Sequence, residues 1–176
     1  AYIGVVTAMP STALAQRGPD VEALREQLFS SNVAEVEAAL REVAFEPSGP
    51  AAVAVGERIR YGLPMNLLLA ALDTLRAMAH PAAGDTLVTL TRHRRSEIRL
   101  RAVQGLVACR PPGASRVLEV RVSDSDPVVR AAAASGLGQL GAASAEETLF
   151  LALDRGVLEA AVAIGQVTDE QGLRRL

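Results

Sequence analysis

Apolar residues in this chain return at helical spacing, and the stripes they form return every 31 residues. Leu67, Ile98 and Val129 stand 31 apart, as do Ala71, Ala102 and Ala133, then Leu75, Leu106 and Leu137, and in the other half of the unit Leu87, Leu118 and Leu149. Pro19, Pro50, Pro81 and Pro112 keep the same step. A period shared by core-type positions and by prolines marks a repeated supersecondary unit.

Each unit reads as two helices, because proline is favoured in the first turn of a helix and excluded from its interior. After Pro19, the residues Val21, Leu24, Leu28 and Phe29 follow the i, i+3, i+7, i+8 stripe of an amphipathic helix. Ser30-Ser31-Asn32 breaks it and offers capping oxygens to a second helix carrying Val36, Leu40 and Val43. The same reading predicts pairs at 50–62 with 64–79, 82–93 with 96–110 and 112–122 with 127–140. In the last of these Asp126 is the expected N-cap, Pro127 the first helical residue, Val129, Ala133, Leu137 and Leu140 the buried stripe, and Gly141 the left-handed residue that ends the helix. A fifth pair, 145–154 with 157–167, repeats Leu137-Gly138-Gln139-Leu140 as Ile164-Gly165-Gln166-Val167 only 27 residues on, which predicts a lost interhelical loop.

The second helices are apolar nearly all round, as in Leu67-Leu68-Leu69-Ala70-Ala71-Leu72. Such a helix needs neighbours on several sides, so the hairpins must stack. The expected fold is all-α: a right-handed α–α superhelix, a solenoid of about five helical hairpins with approximate repeats 18–49, 50–80, 81–111, 112–141 and 142–167 and a partial unit at 168–176. The last stretch, Gly172 to Leu176, lacks a closing glycine or proline, as expected of a fragment or an imperfect final repeat.

Composition agrees with tightly packed helices: 49% of residues are hydrophobic but only 3% aromatic, so small aliphatic side chains must build the core. Residues 1–17 are set apart as an apolar leader or arm. Ala1 to Met9 is apolar and Ala13-Leu14-Ala15 has the small-x-small form of a signal-peptidase site, so the segment is either the remnant of an export leader, implying a periplasmic or otherwise exported protein, or an arm packing on the first repeat of a cytoplasmic one. Nothing approaches the ~20 apolar residues of a membrane span.

Residues that carry chemistry are few. Cys109 lies on an apolar helical stretch and reads as core, and His80 and His93 stand alone at helix ends, too few to build a metal site. No nucleophile elbow or phosphate-binding loop occurs, Gly136-Leu137-Gly138 reads as a close-packing feature, and Glu146-Glu147 suits the first turn of a helix. Neither an enzyme nor a cofactor is expected.

Charge is informative only when divided along the chain. The net charge is −2, yet 1–91 carries six Arg and ten acids, 92–130 nine Arg and four acids, and 131–176 three Arg and six acids. Within this basic island Arg92, Arg94, Arg95, Arg99 and Arg101 gather around one interhelical turn. They are either a clamp for an acidic partner or solvated tips paired with Asp124, Asp126 or Glu97.

The stretch Ser123-Asp124-Ser125-Asp126-Pro127-Val128-Val129-Arg130, with Ala133, Leu137, Leu140 and Gly141, resembles the second-helix signature of HEAT repeats, and Glu97-Ile98-Arg99 with Ala102 and Leu106 is a weaker copy. The short period resembles compact bacterial HEAT-like repeats, including those of phycobilisome lyases. It is below the ~40–47 of longer HEAT repeats, and the tetratricopeptide and ankyrin signatures are absent. The resemblance implies a ladder between neighbouring repeats formed by a turn Asp and an Arg six residues later, here Asp124 and Arg130. One repeat earlier His93 and Arg99 stand at those places, where the acid is missing. It also implies a non-catalytic protein–protein scaffold whose second helices line the inner face, with the Arg cluster favouring a partner of acidic surface. Two other functions follow from resemblance: an accessory subunit of a bilin lyase, and nucleic-acid binding, which the acidic ends and the lack of stacking aromatics disfavour.

Overall fold

The structure, a computed structural model, describes residues 20–168; the segment 1–17, Pro19 and the end of the partial unit, 169–176, lie outside them. The described residues form five helical hairpins and no strand. The first helices are α1 (Val21–Leu28), α3 (Gly49–Tyr61), α5 (Gly84–Leu90), α7 (Ala114–Arg121) and α9 (Glu146–Asp154). The second helices are α2 (Val33–Phe45), α4 (Met65–Met78), α6 (Ser96–Cys109), α8 (Pro127–Gln139) and α10 (Glu159–Val167). A single 3-10 turn leads into α5 at Pro81–Ala83 and another into α9 at Ala143–Ala145.

The second helices pack in chain order, α2 on α4, α4 on α6, α6 on α8 and α8 on α10, while α1, α3, α5 and α7 form a parallel row behind them. Every core position on the 31-residue lattice is buried: Leu67, Ile98 and Val129, the three alanines from Ala71, the three leucines from Leu75 and the three from Leu87 are each at most 2% exposed. At about 1.5–3 kcal/mol per buried leucine or valine, this seam is the main source of stability. The protein is an all-helical solenoid.

Local chemistry sets the helix ends. Asn32 accepts from the Ala34 amide at 3.0 Å, and Asp126 from Val128 at 2.9 Å and Val129 at 3.4 Å with Pro127 in the first turn of α8. Gly141 takes φ +64° past the end of α8. Its lattice equivalents, Ala79 after α4 and Arg110 after α6, adopt the same left-handed conformation at φ +48° and +47° although each has a Cβ. Close packing explains the mid-helix glycines. A Cβ at Gly136 would lie 2.5 Å from Val107 Cγ2, and one at Gly138 would lie 2.9 Å from the Ala163 Cα on α10.

Two local expectations are corrected. Phe29 is not part of the buried stripe: α1 ends one residue earlier, and the ring is 42% exposed, edge-on to Tyr61 at 5.2 Å between centroids. The fifth hairpin keeps its interhelical turn, residues 155–158, with Gly156 at φ +82°; its shortening falls instead in α10, nine residues against the thirteen of α8. Among the described residues no helix is long and apolar enough to cross a membrane.

Relieving the left-handed strain with Ala79→Gly should raise unfolding free energy by roughly 1 kcal/mol in urea titration. In the same assay Gly138→Val should lower it by about 2 kcal/mol, since α8 and α10 must separate to admit the side chain.

Candidate functional site

In each hairpin the first helix ends and the second begins at the same edge of the row, so the turns 29–32, 62–64, 91–95, 122–126 and 155–158 form one turn edge. The best-built turn is 122–126. Asp124 Oδ1 accepts from the Asp126 amide at 3.0 Å, and Arg130, one turn into α8, reaches back with Nη1 to the carbonyl oxygens of Asp124 at 2.9 Å and Ser125 at 3.2 Å. Arg99 does the same for the turn before its own helix, donating through Nη1 to the carbonyls of His93 at 3.0 Å and Arg94 at 3.3 Å.

Arg99 has a second set of donors, and these link the repeats. Its Nε and Nη2 hold Asp124 Oδ2 and Oδ1 at 2.9 and 2.6 Å, and Nη2 also meets Ser125 Oγ at 3.2 Å. This is a bidentate fork on a carboxylate, the strongest geometry open to an arginine–acid pair. Arg121 adds a third contact to Asp124 at 3.3 Å and bonds the Thr91 carbonyl of the preceding turn at 3.2 Å. The Asp124 side chain is 2% exposed and that of Arg99 11%. The rung therefore runs from Arg99 of one repeat to Asp124 of the next, and Arg130 touches Asp124 only at its carbonyl oxygen.

His93 performs the part of the Asp124 role that an imidazole allows. Its Nδ1 accepts from the Arg95 amide at 3.2 Å, closing the turn as Asp124 Oδ1 closes its own. The Arg99 place one repeat earlier is taken by Leu68, and Leu68 and His93 line one shallow pocket with Leu63, Met65, Arg94 and Arg95.

Burial alone would raise the Asp124 carboxyl, but the Arg99 hydrogen bonds, the Asp126 amide and the charges of Arg99 and Arg121 outweigh it and hold it below the usual carboxylate range. The Arg99 guanidinium is correspondingly held more firmly protonated by its hydrogen bond to Asp124. Asp126 is also held low, first by a hydrogen bond from the Ser96 side chain and then by the amides it caps.

The five clustered arginines divide. Arg99 is committed to Asp124, and Arg101 lies across to α4, with Nη1 at 2.6 and 2.5 Å from the Asp73 oxygens and Nη2 at 3.7 Å from Glu97. Asp73 was not legible as a partner, being 28 residues away and off the lattice. Arg92, Arg94 and Arg95 are exposed on the turn, and among the described residues no carboxylate pairs with them. Arg94 and Arg95 flank an apolar floor of Leu63, Met65 and Leu68.

The remaining candidates for chemistry serve the fold. His80 Nδ1 accepts from the Ala82 amide at 3.1 Å at the start of the 3-10 turn. The Cys109 thiol is raised, first by burial, and donates to the Leu75 carbonyl at 3.3 Å. No three His, Cys, Asp or Glu among the described residues gather to hold a metal ion.

Helical hairpins stacked in a row and pinned turn to turn by an Arg–Asp rung define a helical-repeat protein. The stretch 64–138, from the start of α4 almost to the end of α8 and including the rung, matches the family model for HEAT repeats. No curated protein matches the chain.

Since the Asp124 pKa is depressed in the folded state, the rung contributes fully above the ordinary carboxylate pKa and is lost as pH falls through the lower folded value. Asp124→Asn should cost about 3 kcal/mol at pH 7, because Arg99 loses its buried counter-charge. It should also flatten the fall in stability below about pH 4, measured by urea unfolding across pH.

Proposed function

We propose that these repeats form a non-catalytic scaffold that holds an acidic segment of a partner protein at the turn edge, against Arg92, Arg94 and Arg95. The family match supports the coarser statement, since HEAT repeats suggest a protein-interaction scaffold. The observation that carries the finer one is the division of the cluster. Two of its five arginines are paired with carboxylates of the chain itself, and three stand exposed on one turn with no carboxylate partner among the described residues, two of them beside half-buried apolar side chains.

That combination suits a peptide more than a small anion. An exposed ion pair alone adds at most about 1 kcal/mol, so three separate ones give weak and salt-sensitive attraction. The floor of Leu63, Met65 and Leu68 supplies area that an apolar side chain among the acids can cover. Guanidinium forks add directionality, because they meet carboxylates in a plane.

The test is fluorescence anisotropy with a labelled hexaglutamate peptide at low salt and a hexaglutamine peptide as control. The wild type should bind the acidic peptide alone, and the triple variant R92Q/R94Q/R95Q should bind it at least about ten-fold more weakly while keeping its helical circular dichroism. Equal binding by the variant would remove the turn from the site.

A further inference from the structure

The rung that pins the third hairpin to the fourth has a successor that is left open. Arg130 stands 31 residues after Arg99, on the same face of the next second helix, and uses its Nη1 in the same way, on two carbonyls of its own turn. In Arg99 the opposite edge, Nε and Nη2, grips the carboxylate of the next turn. In Arg130 that edge has no acceptor among the described residues, since its only side-chain bonds are those of Nη1.

The missing group can be located. Asp124 is the third residue after α7 and is 7% exposed; the third residue after α9 is Val157, 6% exposed. A valine thus fills the place of the acid, and an arginine lies beside it. Arg130 and Arg155 line one pocket of about 260 Å³ with Val122, Ser123, Asp124 and Val157. Arg155 Nη1 reaches Ser123 Oγ at 3.5 Å. The acid of this pocket is already taken: the carboxylate of Asp124 is held by Arg99, Arg121 and the Asp126 amide. Two cations therefore share a pocket whose single anion is committed elsewhere.

We propose that Arg130, with Arg155, receives a carboxylate from an acidic side chain of the bound partner, completing from outside the rung that Asp124 completes from within. This rests on the reading of the turn edge as a binding surface for an acidic segment and assigns that segment a second anchor. The spacing fits one extended peptide. The turns 91–95 and 155–158 are two repeats apart, and at roughly 10 Å between packed helices the distance is about 20 Å, which six extended residues span. The closed rung lies between the two anchors, so the partner meets cations at either end and a neutralised pair in the middle.

The hexaglutamate peptide again serves as probe, against R130K, R155Q and the control R116Q, whose arginine is exposed on α7. R130K keeps the charge but loses the planar fork. R130K and R155Q should each weaken binding about ten-fold, while R116Q, with the same charge loss as R155Q, should stay within about two-fold of wild type. Circular dichroism checks that R130K retains its turn, and if it does not, R155Q against R116Q decides. Binding by R130K equal to wild type, or by R155Q no weaker than by R116Q, overturns the inference. Binding lost in R92Q/R94Q/R95Q but untouched here removes only the second anchor. The converse removes only the first, and a wild type that ignores the peptide removes both.

Discussion

A helix that is apolar nearly all round, as α4 is, can exist in water only between neighbours, and the packing of successive second helices on one another meets that condition along the row. α6 packs on α4 and α8 as well as on its own hairpin partner α5. Ile98, Ala102, Val103 and Leu106 are left with no exposed surface. Small residues make the approach possible, and for that reason glycine is tolerated at 105, 136 and 138 despite its cost of about 1 kcal/mol within a helix. Stability is then shared between adjacent units, not stored in any one of them. At the end of the described row Leu158, in the turn before α10, and Val162, on α10, are 74% and 68% exposed.

Packing of leucine and alanine fixes the distance between repeats better than their register, because aliphatic surfaces slide at modest cost. A directional bond is needed to hold the turns in line, and the Arg99–Asp124 fork is one. It is nearly buried, and such a pair gives less net stability than its geometry suggests, because both ions lose water. Its specificity is plainer than its energy: Arg99 binds its own turn through one nitrogen and the next through two others, so the guanidinium plane sets the relative position of two hairpins.

The repeated skeleton was legible because burial and period are the same fact: a residue that returns every 31 positions on a helical stripe returns to the same environment. Proline, asparagine, aspartate and glycine at the ends of these stripes act locally and were legible too, as Asn32, Asp126 and Gly141 show. What escaped depended on direction. The lattice places Arg99 and Arg130 identically, but which carboxylate each reaches depends on the next turn; the spacing of six residues named Asp124 and Arg130 as ladder positions without showing that the Asp124 carboxylate is held by Arg99 and its carbonyl by Arg130. Nor does periodicity report where a helix stops, so Phe29 read as buried, or that Ala79 and Arg110 accept a conformation glycine holds at 141.

Three successive versions of one rung stand side by side on the turn edge. Between the second and third hairpins neither the arginine nor the acid is present, Leu68 and His93 standing in their places, and the turn closes through an imidazole nitrogen. Between the third and fourth the pair is complete. Between the fourth and fifth the arginine remains and the acid has become Val157, with Arg155 added. A fold that required the rung everywhere would not carry two broken copies, so stacking alone is sufficient to hold those junctions. The open Nε–Nη2 edge of Arg130 and the exposed Arg92, Arg94 and Arg95 are then free of structural duty. Arginine forks beside shallow pockets, on an edge where backbone and side chains are already positioned by the stack, need little reorganisation to meet an anion, and that preorganisation is what a repeat array offers a binding partner.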